Sequence, residues 1–354
     1  MTINESPIFI VGASRSGTAM MRSVLNNHPD VLISGESHYF DDLRVRMADH
    51  TTSALDDEQR TVCEDYFLAL DHRPYGHQGD PERSDTKRED LRAMAEQRGK
   101  GADSYFEAFC IVRAQRAGKS IWGDKTPRHI FRIPEILERY PNAKVVCMVR
   151  DARAVVASYR DWRNQGGFDL EEDPTHAEAL REEEQRARKS YNLLLMSLIW
   201  RSTVNAAVAA RDRFGSDRVY LQQYEEMVTD PEAAARKVAD WLGLEFTPAM
   251  LDVPMHNSSF SQFEAKSGVS TEPMKRWRSK LSSREIAVIQ SCCGPVMKAA
   301  GYELEPDHVA PPVVWWEWIK LPFATMRATV ANRDRMGNIP QYLWRRMRLA
   351  MGRA

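Results

Sequence analysis

Four short apolar runs, rich in β-branched and aromatic residues, punctuate the chain, and each is short enough to be a buried strand. They lie at residues 7–11, 31–33, 144–149 and 218–221. Apolar residues at helical spacing stand between or after them, at residues 18–27, 134–140, 191–213 and 231–242. This alternation predicts a three-layer α/β fold, with a central parallel sheet flanked by helices and joined by right-handed crossovers.

Two charge-rich segments interrupt the alternation. Residues 41–119 indicate helices joined by mobile loops, which we interpret as a helical insertion or lid over one face of the sheet. Residues 160–190 are dense in Glu and Arg, a pattern typical of a solvated helix or a mobile loop, and we assign them to a mobile segment beside the site. We therefore predict one domain over residues 1–308 and a C-terminal appendage over residues 309–354.

Composition narrows the class of protein. An apolar fraction of 43% suffices for a large core, and a net charge of −1 argues against nucleic acid as the main partner. The five cysteines form no C-x-x-C pair and no metal-ligand spacing, so we expect reduced core thiols and no metal. The first residues lack the features of a signal peptide, and no apolar run reaches about 18 residues. These patterns predict a cytoplasmic location.

The segment between the first strand and the first helix carries the clearest chemistry. A glycine-bearing loop at a helix N-terminus directs backbone N–H groups and a positive partial charge at one point, where an oxyanion binds. Gly12 and Gly17 have the spacing of a P-loop, which predicts a P-loop-NTPase-like fold. A nucleoside-triphosphate loop, however, has lysine where this chain has Thr18, and the cation here is Arg15 inside the loop. ATP or GTP chemistry is therefore disfavoured.

Five segments, in order along the chain, together resemble the sulfotransferases that use 3′-phosphoadenosine-5′-phosphosulfate (PAPS). They are residues 15–18, 124–127, 149–158, 224–231 and 275–278. The resemblance covers roughly residues 7–304 and is greatest to the tyrosylprotein-sulfotransferase-like subgroup. That subgroup also has arginine in the loop, as at Arg15, and Met-Arg in the first helix, as at Met21-Arg22. It has His-Pro after that helix, as at His28-Pro29, and Gly-Glu after the second strand, as at Gly35-Glu36.

The resemblance implies PAPS as the donor, adenosine 3′,5′-bisphosphate as the product, and no metal. It assigns the phosphosulfate to the first loop, the 3′-phosphate to the segment after residue 149, the adenine side to a tyrosine, and closure of the site to a basic segment. The residues implied for the phosphosulfate are Arg15, Ser16, Gly17, Thr18 and Ala19. Those implied for the 3′-phosphate are Arg150 and Ser158, and Tyr224 is implied for the adenine side. The residues implied for closure of the site are Lys275, Arg276 and Trp277. Thr18 has a second interpretation, as the N-cap of the first helix.

The resemblance also assigns the catalytic roles for sulfuryl transfer. Arg15 and Lys125 would stabilise charge on the leaving phosphate, and Glu36 would be the general base that takes the acceptor proton. His38 is the alternative base, because many family members use histidine. Two other functions stay open at this point: a P-loop-type kinase or NTPase, and a relative that binds nucleotide without catalysis.

The acceptor and the appendage are the least defined parts. We expect an acceptor hydroxyl or amine on a small molecule, a glycan or a lipid. The appendage carries Trp315, Trp316 and Trp318 and is basic, which fits peripheral contact with a membrane or a homodimer interface, as well as simple packing on the domain. Pro311, Pro312, Pro322 and Pro340 predict that it is broken into short helical pieces.

Overall fold

The computed structural model describes residues 2–73, 79–162, 174–253, 272–306 and 311–336, with 339, 340 and 344 in addition. Five parallel strands form one sheet in the spatial order β2-β3-β1-β4-β5. Their bounds are β1 Ile8–Gly12, β2 Val31–Ser34, β3 Ile121–Lys125, β4 Lys144–Val149 and β5 Val219–Gln223. The predicted α/β fold with a parallel sheet is confirmed.

Fifteen α-helices in the described residues surround this sheet. Their bounds are α1 Thr18–Asn26, α2 Leu43–Arg46, α3 Asp57–Leu68, α4 Arg88–Arg98, α5 Ala102–Arg116, α6 Ile133–Arg139, α7 Ala152–Trp162, α8 Pro174–Ser190, α9 Leu193–Phe214, α10 Tyr224–Thr229, α11 Pro231–Leu242, α12 Glu272–Lys275, α13 Trp277–Lys280, α14 Ser283–Ala299 and α15 Pro311–Met336.

The three layers follow from the alternation of side chains along the central strand. Phe9 and Val11 point into a core under α3, α5 and α6, while Ile8 and Ile10 point into a core under α1 and α11. Both faces of the sheet are covered, which explains why β1 and β4 are almost continuously apolar. A third cluster joins α7, α9 and α14 beyond the end of β4.

Strand β3 is absent from the sequence prediction. Its residues, Ile-Trp-Gly-Asp-Lys, are all buried between β2 and β1, although only the first two are clearly apolar. Gly123 is required here, because a Cβ atom would lie 2.0 Å from the carbonyl oxygen of Ile8. Because Asp124 and Lys125 are polar, a prediction based on hydrophobicity does not identify this strand.

The segment 41–119 contains α2–α5 and covers one face of the sheet, and its helix α5 is part of the core. Its motion as a lid stays a prediction, as do the domain limits. Within 160–190, α8 is a regular helix, and residues 163–173 lie outside the described part of the chain.

The appendage differs from its prediction. Over residues 311–336, the expected short pieces are instead one 26-residue helix, α15, that continues through Pro322, and the break expected at Pro340 stays a prediction. Pro322 is exposed, so the backbone carbonyl that loses its hydrogen bond there can face solvent.

One described helix, α9, has the length and mean hydropathy of a membrane span. Its buried residues, among them Trp200 and Ala207, pack in two of the core clusters, which accounts for its apolar character.

Candidate active site

The loop between β1 and α1 is shaped by two glycines with positive φ. At Gly12, φ is 152° and a Cβ atom would lie 2.5 Å from the carbonyl oxygen of Met148 in β4. At Gly17, φ is 93°, and this residue is the N-cap of α1 without a side-chain capping bond. The first N–H groups of a helix have no intrahelical acceptor, so those after Gly17 are available to an anion.

Ser16 and Thr18 have different places in this loop. Ser16 is fully buried, its N–H donates to the carbonyl oxygen of Ala13 at 3.1 Å, and its hydroxyl lies 2.5 Å from that oxygen and 3.1 Å from the oxygen of Met148. Ser16 therefore holds the loop in shape, and its predicted contact with the donor stays a prediction. Thr18 is the first helical residue, so its interpretation as the N-cap is wrong. Ala19 is exposed in the first turn.

Arg15 links the two predicted phosphate-binding groups. Its Nε donates to Ser158 Oγ at 3.0 Å, and its carbonyl oxygen accepts from Arg150 Nη1 at 2.9 Å. Among the described residues, Arg15 and His38 are the only non-glycine residues with positive φ, at 74° and 55° respectively. Such backbone costs about 1–3 kcal/mol and concentrates at functional sites. Both residues are predicted site residues.

Tyr224 lies over the loop from the start of α10. A Cβ atom on Gly17 would lie 2.5 Å from Tyr224 Cδ2, and the Arg150 guanidinium lies 4.1 Å from the centre of the tyrosine ring. Burial raises the pKa of Tyr224, while the charges of Arg150 and Arg15 partly oppose the rise, so the phenol stays neutral. The predicted grouping of Arg15, Arg150, Ser158 and Tyr224 is present in the structure.

Glu36, Lys125 and His38 meet at the adjacent ends of β2 and β3. Lys125 Nζ lies 2.6 Å from Glu36 Oε1, and His38 Nε2 lies 3.4 Å from Glu36 Oε2. Burial tends to raise the pKa of Glu36, but the hydrogen bond from His38 and the charge of Lys125 outweigh it and lower this pKa to about 2. Glu36 is therefore an ionised carboxylate, and its side chain is 40% exposed.

The loop that carries Glu36 is fastened to β3 from behind. Asp124 Oδ1 accepts from the N–H of Ser37 at 3.3 Å, and the hydroxyl of Thr126 accepts from the N–H of His38 at 3.4 Å. The other oxygen of Asp124 lies 3.1 Å from Nδ1 of His129, and both side chains are fully buried. Sequence analysis placed Asp124 in the matched segment 124–127 but gave it no role, and it did not single out His129.

Arg22 is a further cation behind Glu36. Its Nε donates to the carbonyl oxygen of Ile33 at 2.9 Å. Burial lowers its pKa, and the charges of Asp124 and Glu36 oppose that change. The Met-Arg pair in the first helix thus supports the end of β2 and adds positive charge beneath the carboxylate.

The basic segment at 275–277 is anchored to the domain by its tryptophan. Trp277 is 2% exposed and lies between the guanidinium groups of Arg153 and Arg278, at 4.1 and 4.5 Å from the ring centre. It packs with α7 in the third core cluster, so its role in this structure is packing. Lys275 is exposed and Arg276 is half-buried. Contact of the three with the donor stays a prediction.

Within the described residues, no three His, Cys, Asp or Glu side chains form a group able to hold a metal ion. The ends of β1, β3 and β4 carry the cations Arg15, Lys125 and Arg150, and the neighbouring carboxylates Asp124 and Asp151 are paired with His129 and Arg153. The arrangement is therefore suited to an anionic substrate with more than one charged group.

The parallel sheet and the glycine-bearing loop at the start of α1 define a protein of the P-loop-like α/β class. The model of the sulfotransferase family matches residues 7–248, so the chain belongs to the sulfotransferase family and is an enzyme. Transfer of a sulfuryl group from PAPS is general in that family.

Curated relatives agree. The chain is 22% identical over 317 residues to a putative protein-tyrosine sulfotransferase of Caenorhabditis briggsae, covering 86% of this chain and 92% of the relative. It is 24% identical over 326 residues to the Drosophila melanogaster protein-tyrosine sulfotransferase, covering 87% of this chain but only 54% of that one. Carbohydrate sulfotransferase 3 of Mus musculus is 27% identical over 192 residues, covering 50% and 37% of the two chains.

A solved structure shares the fold. The sulfotransferase domain of the Synechococcus PCC 7002 olefin synthase superposes with a TM-score of 0.52 at 18% identity, covering 86% of this chain and 98% of that domain.

Proposed function

We propose that this enzyme transfers the sulfuryl group of PAPS to an acceptor hydroxyl, with Glu36 as the general base. The observation that carries the proposal is the meeting of Glu36 and Lys125 at 2.6 Å, at the ends of β2 and β3, and β3 is the direct neighbour of β1 with its glycine-bearing loop. Open α/β sheets bind ligands at the carboxyl ends of their strands, and here those ends carry a base candidate and three cations.

The residues after β1 and β4 fit a donor with two separate anionic groups. The N-terminus of α1 and Arg15 would hold the phosphosulfate, and Arg150 with Ser158 would hold the 3′-phosphate. Gly17 has no side chain, which allows the Tyr224 ring to pack directly against the loop backbone. The donor supplies an activated sulfuryl group and a phosphate leaving group.

The choice between the two bases favours Glu36. Nε2 of His38 faces the Glu36 carboxylate at 3.4 Å, and Nδ1 is buried without a hydrogen-bond partner among the described residues. A proton from the acceptor therefore reaches Glu36 more directly than either ring nitrogen. We assign His38 to orienting the carboxylate, as the second partner beside Lys125.

In the proposed reaction, Glu36 takes the proton of the acceptor hydroxyl while the acceptor oxygen forms the new bond to sulfur. The bond between sulfur and the 5′-phosphate oxygen breaks, and Arg15 and Lys125 stabilise the charge left on that phosphate. A pKa of about 2 makes Glu36 a weak base. When Lys125 shares its charge with the donor, the pKa of Glu36 should rise, because burial alone raises it.

The names of these relatives give protein tyrosine and carbohydrate, and a hydroxyl is the functional group that both acceptors have in common. We extend only that functional group to this chain. Glu36 stands at β2, on the outer side of Lys125, so the acceptor would approach from this edge of the sheet.

The test is turnover of labelled PAPS by Glu36→Gln, with a panel of phenolic, carbohydrate and lipidic alcohols. We expect turnover to fall by about 10²-fold or more while the affinity for adenosine 3′,5′-bisphosphate, measured by calorimetry, stays within about twofold. Glu232→Gln, on the exposed surface of α11, is the matched control. Normal turnover in Glu36→Gln, with loss in His38→Ala, would move the base to His38.

A further inference from the structure

Helix α15 presents a continuous apolar stripe to solvent. Five large side chains are 61–70% exposed: Trp315, Ile319, Phe323, Met326 and Val330. At about 100° per residue they lie within a sector roughly 80° wide, and at 1.5 Å per residue they extend over about 22 Å. Trp316 borders the stripe at 53% exposure. Exposed apolar surface this continuous marks an interaction site.

The opposite face of α15 is fixed to the domain, which determines where the stripe points. Ala324 and Ala328 are buried, and Leu321 packs against the cluster of α7, α9 and α14. Arg284 in α14 pairs with Glu317 at 2.7 Å, and Arg327 donates to the carbonyl oxygen of Tyr191 at 3.0 Å. The stripe cannot turn inward without breaking these contacts.

The stripe lies in the most basic part of the chain. Residues 311–354 carry eight Lys and Arg against two acidic residues, a net charge of +6, whereas the whole chain is at −1 and residues 1–310 are therefore at −7. Lys320 and Arg327 follow one edge of the stripe, and the Lys320 ammonium lies 5.3 Å from the centre of the Trp316 ring. The acidic Glu317 is neutralised by Arg284 and Lys320.

We propose that the α15 stripe docks this enzyme on an anionic lipid surface, with the helix in the plane of the membrane. Aromatic and aliphatic side chains on one helix face enter the boundary between headgroups and acyl chains, and basic residues at its edge bind anionic headgroups. The proposal is independent of the sulfuryl-transfer chemistry.

Charge decides between a lipid surface and a second copy of the chain. A two-fold interface through this stripe would bring two copies of α15 together, each of net charge +2 over residues 311–336, with Lys320 and Arg327 beside the stripe, and this repulsion opposes association. An anionic bilayer instead attracts the same charge, at about 1 kcal/mol per basic residue near the surface.

The experiment is co-sedimentation of the full chain with phosphatidylcholine vesicles that contain about 30% phosphatidylserine, at low salt. The test variant is Ile319→Glu/Phe323→Glu. The control is Val45→Glu/Val62→Glu, which makes the same charge change at residues 52% and 38% exposed, away from α15. We expect the vesicle-bound to free ratio to fall about tenfold or more in the test variant and to stay within about twofold in the control.

Binding should also weaken with pure phosphatidylcholine and at high salt, because part of the attraction is electrostatic. Circular dichroism and binding of adenosine 3′,5′-bisphosphate establish that both variants are folded. The proposal is overturned if the wild type stays in the supernatant at low salt, or if test and control variants sediment equally. A wild-type dimer in light scattering that the test variant converts to monomer, without vesicle binding, would identify a second copy as the occupant.

Discussion

Replacing Gly17 by alanine would place a methyl group against Tyr224 in the loop between β1 and α1, which we propose to bind the donor. The new Cβ atom would lie 2.5 Å from Cδ2 and 3.2 Å from Cε2 of the tyrosine ring. Ordinary carbon contacts are at about 3.5 Å, so the ring must retreat by about 1 Å. The ring stacks on the Arg150 guanidinium at 4.1 Å, and the displacement therefore reaches the proposed 3′-phosphate site.

The magnitude has two parts. A non-glycine residue in left-handed backbone costs about 1–2 kcal/mol, and forcing a methyl group into a packed contact costs about 1–3 kcal/mol more. We expect Gly17→Ala to lose about 2–5 kcal/mol of unfolding free energy. Affinity for adenosine 3′,5′-bisphosphate should fall about tenfold through the disturbed stacking of Tyr224 and Arg150.

Gly243→Ala is the matched control, because Gly243 has φ 76° and a methyl group added there would meet no atom within 4 Å. It carries the backbone cost alone, so urea unfolding of the two variants isolates the contact with Tyr224. The double variant Gly17→Ala/Tyr224→Ala should be less destabilised than the sum of the two single variants, because the contact with the ring is then absent. Equal destabilisation of the two glycine variants, or unchanged nucleotide affinity in Gly17→Ala, would refute the reasoning.

Two further predictions concern the charged residues. Arg150→Ala should weaken the binding of adenosine 3′,5′-bisphosphate by about 1.5–3 kcal/mol in calorimetry and leave the binding of adenosine 5′-monophosphate almost unchanged. Equal weakening for the two ligands would contradict the assignment of the 3′-phosphate to Arg150. The pKa of Glu36 is lowered from its ordinary value of 4.5 to about 2 in the folded protein. The ionised carboxylate therefore contributes its full stabilisation above pH 4.5, and this contribution is lost as the pH falls from 4.5 through 2. The difference in unfolding free energy between wild type and Glu36→Gln should therefore shrink in urea titrations from pH 5 to pH 3, and a constant difference would contradict the assignment.

The fold was predictable where burial alone determines the residues. Strand β4 and helix α11 have the predicted bounds, since one is a buried apolar run and the other is marked by Pro231 and Gly243. Strand β3 was not predictable in this way, because the polar side chains of Asp124 and Lys125 at its end are buried in pairs with His129 and Glu36. Functional strand ends break the hydrophobic pattern that identifies a strand.

The sequence predicted which residues belong to the candidate site, but it did not predict their backbone conformations or contacts. Resemblance to a family brought Arg15, Arg150 and Tyr224 together, but the positive φ of Arg15 and its bond to Ser158 depend on contacts across 143 residues. The single helix α15 was unpredictable for a related reason: its packing on α8, α9 and α14 overrides the local preference of Pro322.

The order of strands across the sheet arranges the proposed roles along one axis. Glu36 stands at the edge strand β2, Lys125 at β3, Arg15 at β1, Arg150 at β4 and Tyr224 at the opposite edge, β5. In the proposed reaction, acceptor chemistry and nucleotide recognition would thus take place at opposite margins of the sheet, with the reacting sulfur between them. New acceptor specificities could evolve at the β2 margin while the nucleotide margin stays unchanged, so the two selectivities are separable in evolution and in engineering.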